Sequence, residues 1–165
     1  MQIDQIKELY DYDHWANEQL WAAIVGLDAD QLNLDMHNGI GSMLDTIRHL
    51  VSAMWLWRTR WQGGRPTSIF TTADFPTLQS IRTRWQEEEE QMQRFLATLH
   101  DEDLIREFRY VRMTSDQVFT QPLWKTMVHL INHQTQHRSE IAMQLTAFNH
   151  SPGELGMSFF FNRVG

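Results

Sequence analysis

The sequence contains no cysteine among its 165 residues. Without a thiol, the chain can form neither a disulfide framework nor a thiolate metal site, and it has no sulfur nucleophile of its own. Any thiol chemistry would therefore need a thiol brought in by another molecule. We expect the protein to be cytoplasmic.

Positive charge and long apolar runs are also scarce. The chain has 14 Lys and Arg against 21 Asp and Glu, for a net charge of -7. This is the wrong sign for a protein that grips phosphate backbones, so we expect no nucleic-acid partner. The sequence contains no run of about 18 apolar residues, the length needed to span a bilayer. It also does not open with a basic and then apolar leader. We therefore expect neither a membrane anchor nor a signal peptide.

Large apolar side chains are plentiful, with 7 Trp, 9 Phe and 9 Met. Such residues dominate hydrophobic cores and subunit interfaces. The apolar tail at 157–161 is expected to pack on the rest of the protein or on a second subunit. Because the apolar residues exceed what one small domain needs, we expect a homodimer.

The hydrophobic pattern predicts one all-α domain over residues 1–165. Apolar residues recur with the 3.6-residue period of an amphipathic helix in four long segments. A short alternating stretch at 108–112, a turn at 114–116 and a second stretch at 117–120 predict a small β-hairpin before the last helix. The fold class is therefore a four-helix bundle with a hairpin insertion. The predicted helices are about 2–26, 42–61, 77–99 and 122–148.

Three histidines, His129, His133 and His137, are spaced by four in the last predicted helix. A spacing of four on an α-helix is a rotation of about 40° and a rise of about 6 Å, so neighbouring members share a face. Two such imidazoles can bind one metal ion, but the outer pair is about 12 Å apart in rise. The pair is therefore 129/133 or 133/137. The helical wheel favours 133/137, which lies nearer the apolar sector.

The ordinary interpretation of a single histidine is a surface or satisfied core residue. An inward polar residue beside the pair makes this interpretation weaker here. Arg138 falls inside the apolar sector, where a guanidinium needs a partner. That partner is either a structural carboxylate such as Asp13, which is the favoured alternative, or an anionic substrate.

The acidic run at 87–90 in the third predicted helix has a simpler interpretation. We predict a solvated face with one member turned inward, and no carboxylate metal site. A ferritin-like site ranks last among the functional hypotheses because the paired Glu-x-x-His motifs of such sites are missing.

Several motifs, in order and spacing, resemble the DinB family of small DNA-damage-inducible bundles in the bacillithiol-transferase-like superfamily. They are Trp15-Ala16-Asn17 in the first helix, Ser42 to His49 followed by Trp55 in the second, and Asn132-His133 with His137-Arg138 in the fourth. The resemblance covers nearly the whole chain. It departs from the family pattern at Gln136 and Ser139, where the family often has histidine and glycine.

The resemblance implies a metal site formed by His49, His133 and His137. On an ideal wheel His49 lies outside the apolar sector of its helix, so its inclusion comes from the resemblance and not from the periodicity. The implied function is a divalent-metal-dependent thiol S-transferase or hydrolase, with zinc or nickel and with an external low-molecular-weight thiol or water. The alternative is a non-catalytic metal-binding bundle that acts in a stress response or binds a partner.

Overall fold

The computed structural model describes residues 1–37, 39–113 and 115–163. Within these residues the chain is mainly helical, with seven helices and one two-stranded sheet. The four longest helices are α1 (Ile3–Ile24), α3 (Met43–Trp61), α4 (Leu78–Ala97) and α6 (Leu123–Ala147). Each lies within one of the four predicted ranges. The all-α class with a small hairpin is therefore the observed architecture.

Three short helices join or follow the long ones, and the sequence pattern did not predict them. They are α2 (Ala29–Asn33), α5 (Asp101–Leu104) and α7 (Met157–Arg163). A helix of one or two turns is too short to show a hydrophobic period. The apolar tail forms α7, where the Phe159 and Phe160 rings lie 6.0 and 5.5 Å from the Trp15 ring.

The predicted hairpin consists of β1 (Glu107–Val111) and β2 (Val118–Pro122), which pair antiparallel. Their register places Tyr110 opposite Phe119. Thr114, in the predicted turn, lies outside the described residues. The hairpin leads directly into α6 at Leu123.

The long helices pack as neighbours, with α1 along α6, α6 along α3 and α3 along α4. Local signals fix where they begin. The Ser42 hydroxyl accepts a hydrogen bond from the Asp45 amide at the start of α3, and the Thr77 hydroxyl accepts one from the Ser80 amide at the start of α4.

Among the described residues, no helix combines the length and the apolar character needed to cross a membrane.

The core consists of two hydrophobic clusters at opposite ends of the long helices. One contains Ile6, Trp57, Phe95 and Leu130, and the other contains Leu20, Ile47, Trp85 and Leu145. Buried polar side chains lie along the helices between the two clusters. They include Asp13 and Asn17 of α1, Glu88 of α4, and Gln134, His137 and Arg138 of α6.

The inward glutamate of the acidic run is Glu88, which is fully buried. Arg58 of α3 donates to both of its carboxylate oxygens at 2.9 Å, and Arg84 also contacts it. The prediction that one member of this run turns inward is confirmed, and the side chain serves an ion pair between α3 and α4.

Candidate metal centre

His49, His133 and His137 come together between α3 and α6. One ring nitrogen from each can be chosen so that all three lie within 4.8 Å of one another. The Nε2 atoms of His49 and His133 are 3.0 Å apart. The His137 ring centroid lies 4.9 Å from that of His49 and 4.6 Å from that of His133. Three imidazoles thus converge on one point from two helices.

A buried hydrogen bond beside the histidines holds the two helices in this register. Gln134, next to His133, is fully buried, and its Nε2 donates to the Leu50 carbonyl at 3.0 Å. Leu50 follows His49 in α3. Because a buried amide that loses its partner costs free energy, this contact resists sliding of α6 against α3 at the level of the histidines.

His49 reaches the site because α3 is buried on several sides. Its buried residues include Thr46, Arg48, Ser52 and Arg58 as well as the apolar ones. A wheel assigns one inward sector to a helix, whereas α3 has neighbours in α4 and α6. The ideal wheel was therefore misleading for His49.

Burial keeps two of these imidazoles neutral. It lowers the pKa of His49 to about 4 and that of His133 to about 3, and the neighbouring histidines add to both effects because positive charges on adjacent rings repel. A neutral imidazole has a free lone pair, which is the form that binds a metal. At neutral pH both rings are therefore ready to act as ligands.

The donor set fits a divalent ion. Two nitrogens bound to one zinc ion at about 2.0–2.1 Å are about 3.3 Å apart in a tetrahedral site. The His49–His133 separation of 3.0 Å is close to this value. Among the described residues the group has three members, and three imidazole ligands leave a position for water or substrate, as in catalytic zinc sites.

Glu140 contacts the cluster from one turn along α6. Its Oε2 lies 2.7 Å from Nδ1 of His137. The sequence pattern missed this residue, although its spacing of three from His137 is one that places two side chains on the same helix face.

His129, the remaining member of the histidine series, is not part of the group of three. Its ring centroid is 6.3 Å from that of His133, and its ring packs edge-on against Trp57 at 5.4 Å. The wheel thus selected the pair that the structure brings together with His49.

Arg138 points into the interface between α6 and α1. It is 1% exposed and donates through Nη1 to Asp13 Oδ1 at 2.6 Å and to Asn17 Oδ1 at 2.8 Å. Its Nη2 donates to the Thr135 hydroxyl at 2.9 Å. The favoured alternative, a structural carboxylate partner in Asp13, agrees with these contacts.

A second group of potential ligands, His14, Glu18 and Glu89, lies between α1 and α4. Arg82 donates to both carboxylate oxygens of Glu18, and His14 Nδ1 lies 3.0 Å from Glu89 Oε1. The hydrogen bond to Glu89 is the main cause of a raised His14 pKa. These contacts describe an ion-pair network, so the three-histidine group is the better metal site.

Two comparisons with known proteins find similar sequences. The sequence model of the DinB family matches residues 1–155. The chain is also similar to Protein DinB of Bacillus subtilis (strain 168), with 21% identity over 167 residues and 95% of each chain covered. The matched region includes all three histidines.

Proposed function

This chain belongs to the DinB family, and from that premise we propose that it is a divalent-metal-dependent enzyme whose metal is bound by His49, His133 and His137. The observation that carries the proposal is the convergence of three ring nitrogens within 4.8 Å from two helices. Zinc or nickel suits such a donor set. The scaffold of the site is a four-helix bundle made by α1, α3, α4 and α6.

The proposed reaction is thiol S-transfer or hydrolysis. A bound divalent ion supplies a Lewis acid, which lowers the pKa of a water or thiol and polarises a leaving group. Three neutral imidazole ligands carry no negative charge, so they do not offset the positive charge of the ion that they bind. Since the chain has no cysteine, a thiolate would come from a low-molecular-weight cosubstrate.

Two further properties belong to the proposal. The protein acts in the cytoplasm, where low-molecular-weight thiols are kept reduced. It also forms a homodimer, which the exposure of Phe159 (48%) and Phe161 (39%) on α7 supports. Sedimentation velocity tests the second property, and a monomer at all concentrations would overturn it.

Metal analysis of protein without a histidine tag tests the central proposal. We expect about one equivalent of divalent metal in the wild type and none in the His133→Ala/His137→Ala double variant. His129→Ala is the matched control, because it removes an imidazole from the same series on α6 without touching the group of three. Fully folded wild-type protein that binds no metal would overturn the proposal.

The choice between an enzyme and a non-catalytic metal-binding bundle needs a second measurement. The exposed aromatic residues of α7 favour the non-catalytic alternative as a partner surface. In cobalt-loaded protein, a thiol that enters the metal's coordination shell changes the visible absorption spectrum. A spectrum unchanged by any low-molecular-weight thiol would favour the non-catalytic bundle over thiol transfer.

A further inference from the structure

The carboxylate of Glu140 forms a short contact with one of the three histidines. Its Oε2 lies 2.7 Å from Nδ1 of His137, and the two side chains are only 21% and 11% exposed. A carboxylate accepts hydrogen bonds and cannot donate them, so His137 must carry its proton on Nδ1. In the neutral ring, which is the form that binds a metal, the lone pair is then on Nε2.

We propose that Glu140 is a positioning residue for the metal centre, which holds His137 in the Nδ1–H tautomer and aims its Nε2 at the metal. The inference rests on the proposed metal site. Metal-binding histidines commonly donate their second ring N–H to a carboxylate, which fixes the ring and makes it a stronger donor. Glu140 also adds a negative charge beside three ligands that bring none.

Gly39 leaves the space that the carboxylate occupies. A Cβ at this position would lie 2.8 Å from Glu140 Oε2, the same oxygen that contacts His137, and 3.4 Å from its Cδ. The backbone of Gly39 is outside the left-handed region, so alanine can adopt its conformation. An added methyl group would therefore act on the end of the Glu140 side chain and displace its Oε2 from the position in which it contacts His137.

The loop before α3 therefore takes part in positioning the Glu140 carboxylate. Gly39 has no side chain, and the space this leaves is where the Glu140 oxygen lies. A substitution at Gly39 therefore weakens metal binding only through Glu140. The two positions must then be non-additive.

The first measurement is the zinc affinity of the purified full-length chain, determined by competition with a chromophoric chelator. We expect Glu140→Ala to weaken binding by about 10- to 100-fold, as is typical for loss of such a partner. Glu140→Gln keeps an acceptor oxygen but not the charge, so its loss should be smaller. Gly39→Ala should also weaken binding, and it should cause no further loss in a Glu140→Ala background.

Gly156 and Glu154 provide the matched controls. A Cβ at Gly156 would lie 2.7 Å from Glu154 Oε1, so Gly156→Ala presses on a glutamate in the same way, but away from the histidines. Neither Gly156→Ala nor Glu154→Ala should change the zinc affinity.

A spectroscopic signature separates positioning from general stability. The visible bands of the cobalt-loaded protein should shift in Glu140→Ala and be partly restored in Glu140→Gln. Unchanged affinity and spectra in both variants, with zinc bound by the wild type, would overturn the role of Glu140 while the proposed metal site stands. A wild-type chain that binds no zinc or cobalt would overturn both.

Discussion

At the scale of single residues, Arg138 and Asp13 form a buried ion pair between α6 and α1. Arg138 Nη1 is 2.6 Å from Asp13 Oδ1, and the two side chains are 2% and 8% exposed. Removing one member of such a pair leaves a charge in the interior with no partner. The pair is therefore a point where one substitution has a large effect.

We expect Arg138→Met to destabilise the fold by about 3–5 kcal/mol, because it leaves the Asp13 carboxylate without its cation. Urea unfolding measures this. Arg94→Met is the control, since the Arg94–Glu90 pair is more than 70% exposed on both sides and such pairs contribute little. Wild-type stability in Arg138→Met, together with lost substrate binding, would instead assign Arg138 to the substrate.

The same variant should show a characteristic pH dependence. Burial raises the pKa of Asp13 above 3.8, and Arg138 acts in the opposite direction. Without Arg138 the folded-state pKa rises further above that of the unfolded chain, so the folded state binds the proton more tightly. The variant therefore regains stability as the pH falls through that pKa towards 3.8. We expect Arg138→Met to lower the free energy of unfolding by more at pH 8 than at pH 5.

At the scale of elements, the start of α3 matters because this helix carries His49. Ser42 and Asp45 cap it reciprocally: the Asp45 amide donates to Ser42 Oγ at 3.2 Å, and the Ser42 amide donates to Asp45 Oδ2 at 3.1 Å. Burial acts to raise the pKa of Asp45, but hydrogen bonds from Ser42 and Arg48 outweigh it and lower the pKa below 3.8.

We expect Ser42→Ala to cost about 1 kcal/mol of stability at neutral pH, as loss of a cap usually does. A carboxyl with a lowered folded-state pKa stabilises the fold above pH 3.8, and this contribution is lost as the pH falls through the folded pKa. The cost of Ser42→Ala should therefore shrink in acid. It can be followed by chemical denaturation between pH 7 and pH 3.

Thr77→Ala at the start of α4 is the matched control. Thr77 caps its helix with Ser80 as the reciprocal partner, and Ser80 does not titrate in this range. Its cost should be similar at neutral pH and should stay the same in acid. Equal pH dependence of the two variants would contradict the role given to Asp45.

The long helices and the hairpin could be predicted from the sequence because their signals are local. Hydrophobic periodicity located α1, α3, α4 and α6, and alternation located β1 and β2. The spacing of His133 and His137 is equally local. His49 is different, because its orientation depends on which neighbours surround α3, and the family resemblance supplied it. Glu140 was missed because its spacing of three from His137 places the two side chains on one helix face but does not show that they form a contact.

At the scale of the whole molecule, the proposed metal binding would be linked to stability. A ligand that binds only the folded state, at a free concentration 100 times its Kd, raises the free energy of unfolding by about 2.7 kcal/mol. For a domain of this size, that corresponds to a Tm increase of about 5–10 °C. We expect this increase by calorimetry when zinc is added to metal-free wild-type protein.

The increase should be absent in His133→Ala/His137→Ala and retained in His129→Ala. An equal shift in the double variant would mean that zinc stabilises the protein from another place. The group of His14, Glu18 and Glu89 would then be the next to remove.

The separation of His49 and His133 in the chain has a consequence for folding order. The two rings are 84 residues apart in the chain, and α4 and the hairpin lie between them. The chain must therefore close a long loop before the two rings can bind the same ion. In a partly folded chain in which α6 alone has formed, only His133 and His137 of the three proposed ligands are in place. Tight metal binding therefore requires that α3 has docked on α6. A metal-sensitive dye in a refolding experiment would measure the rate of that step.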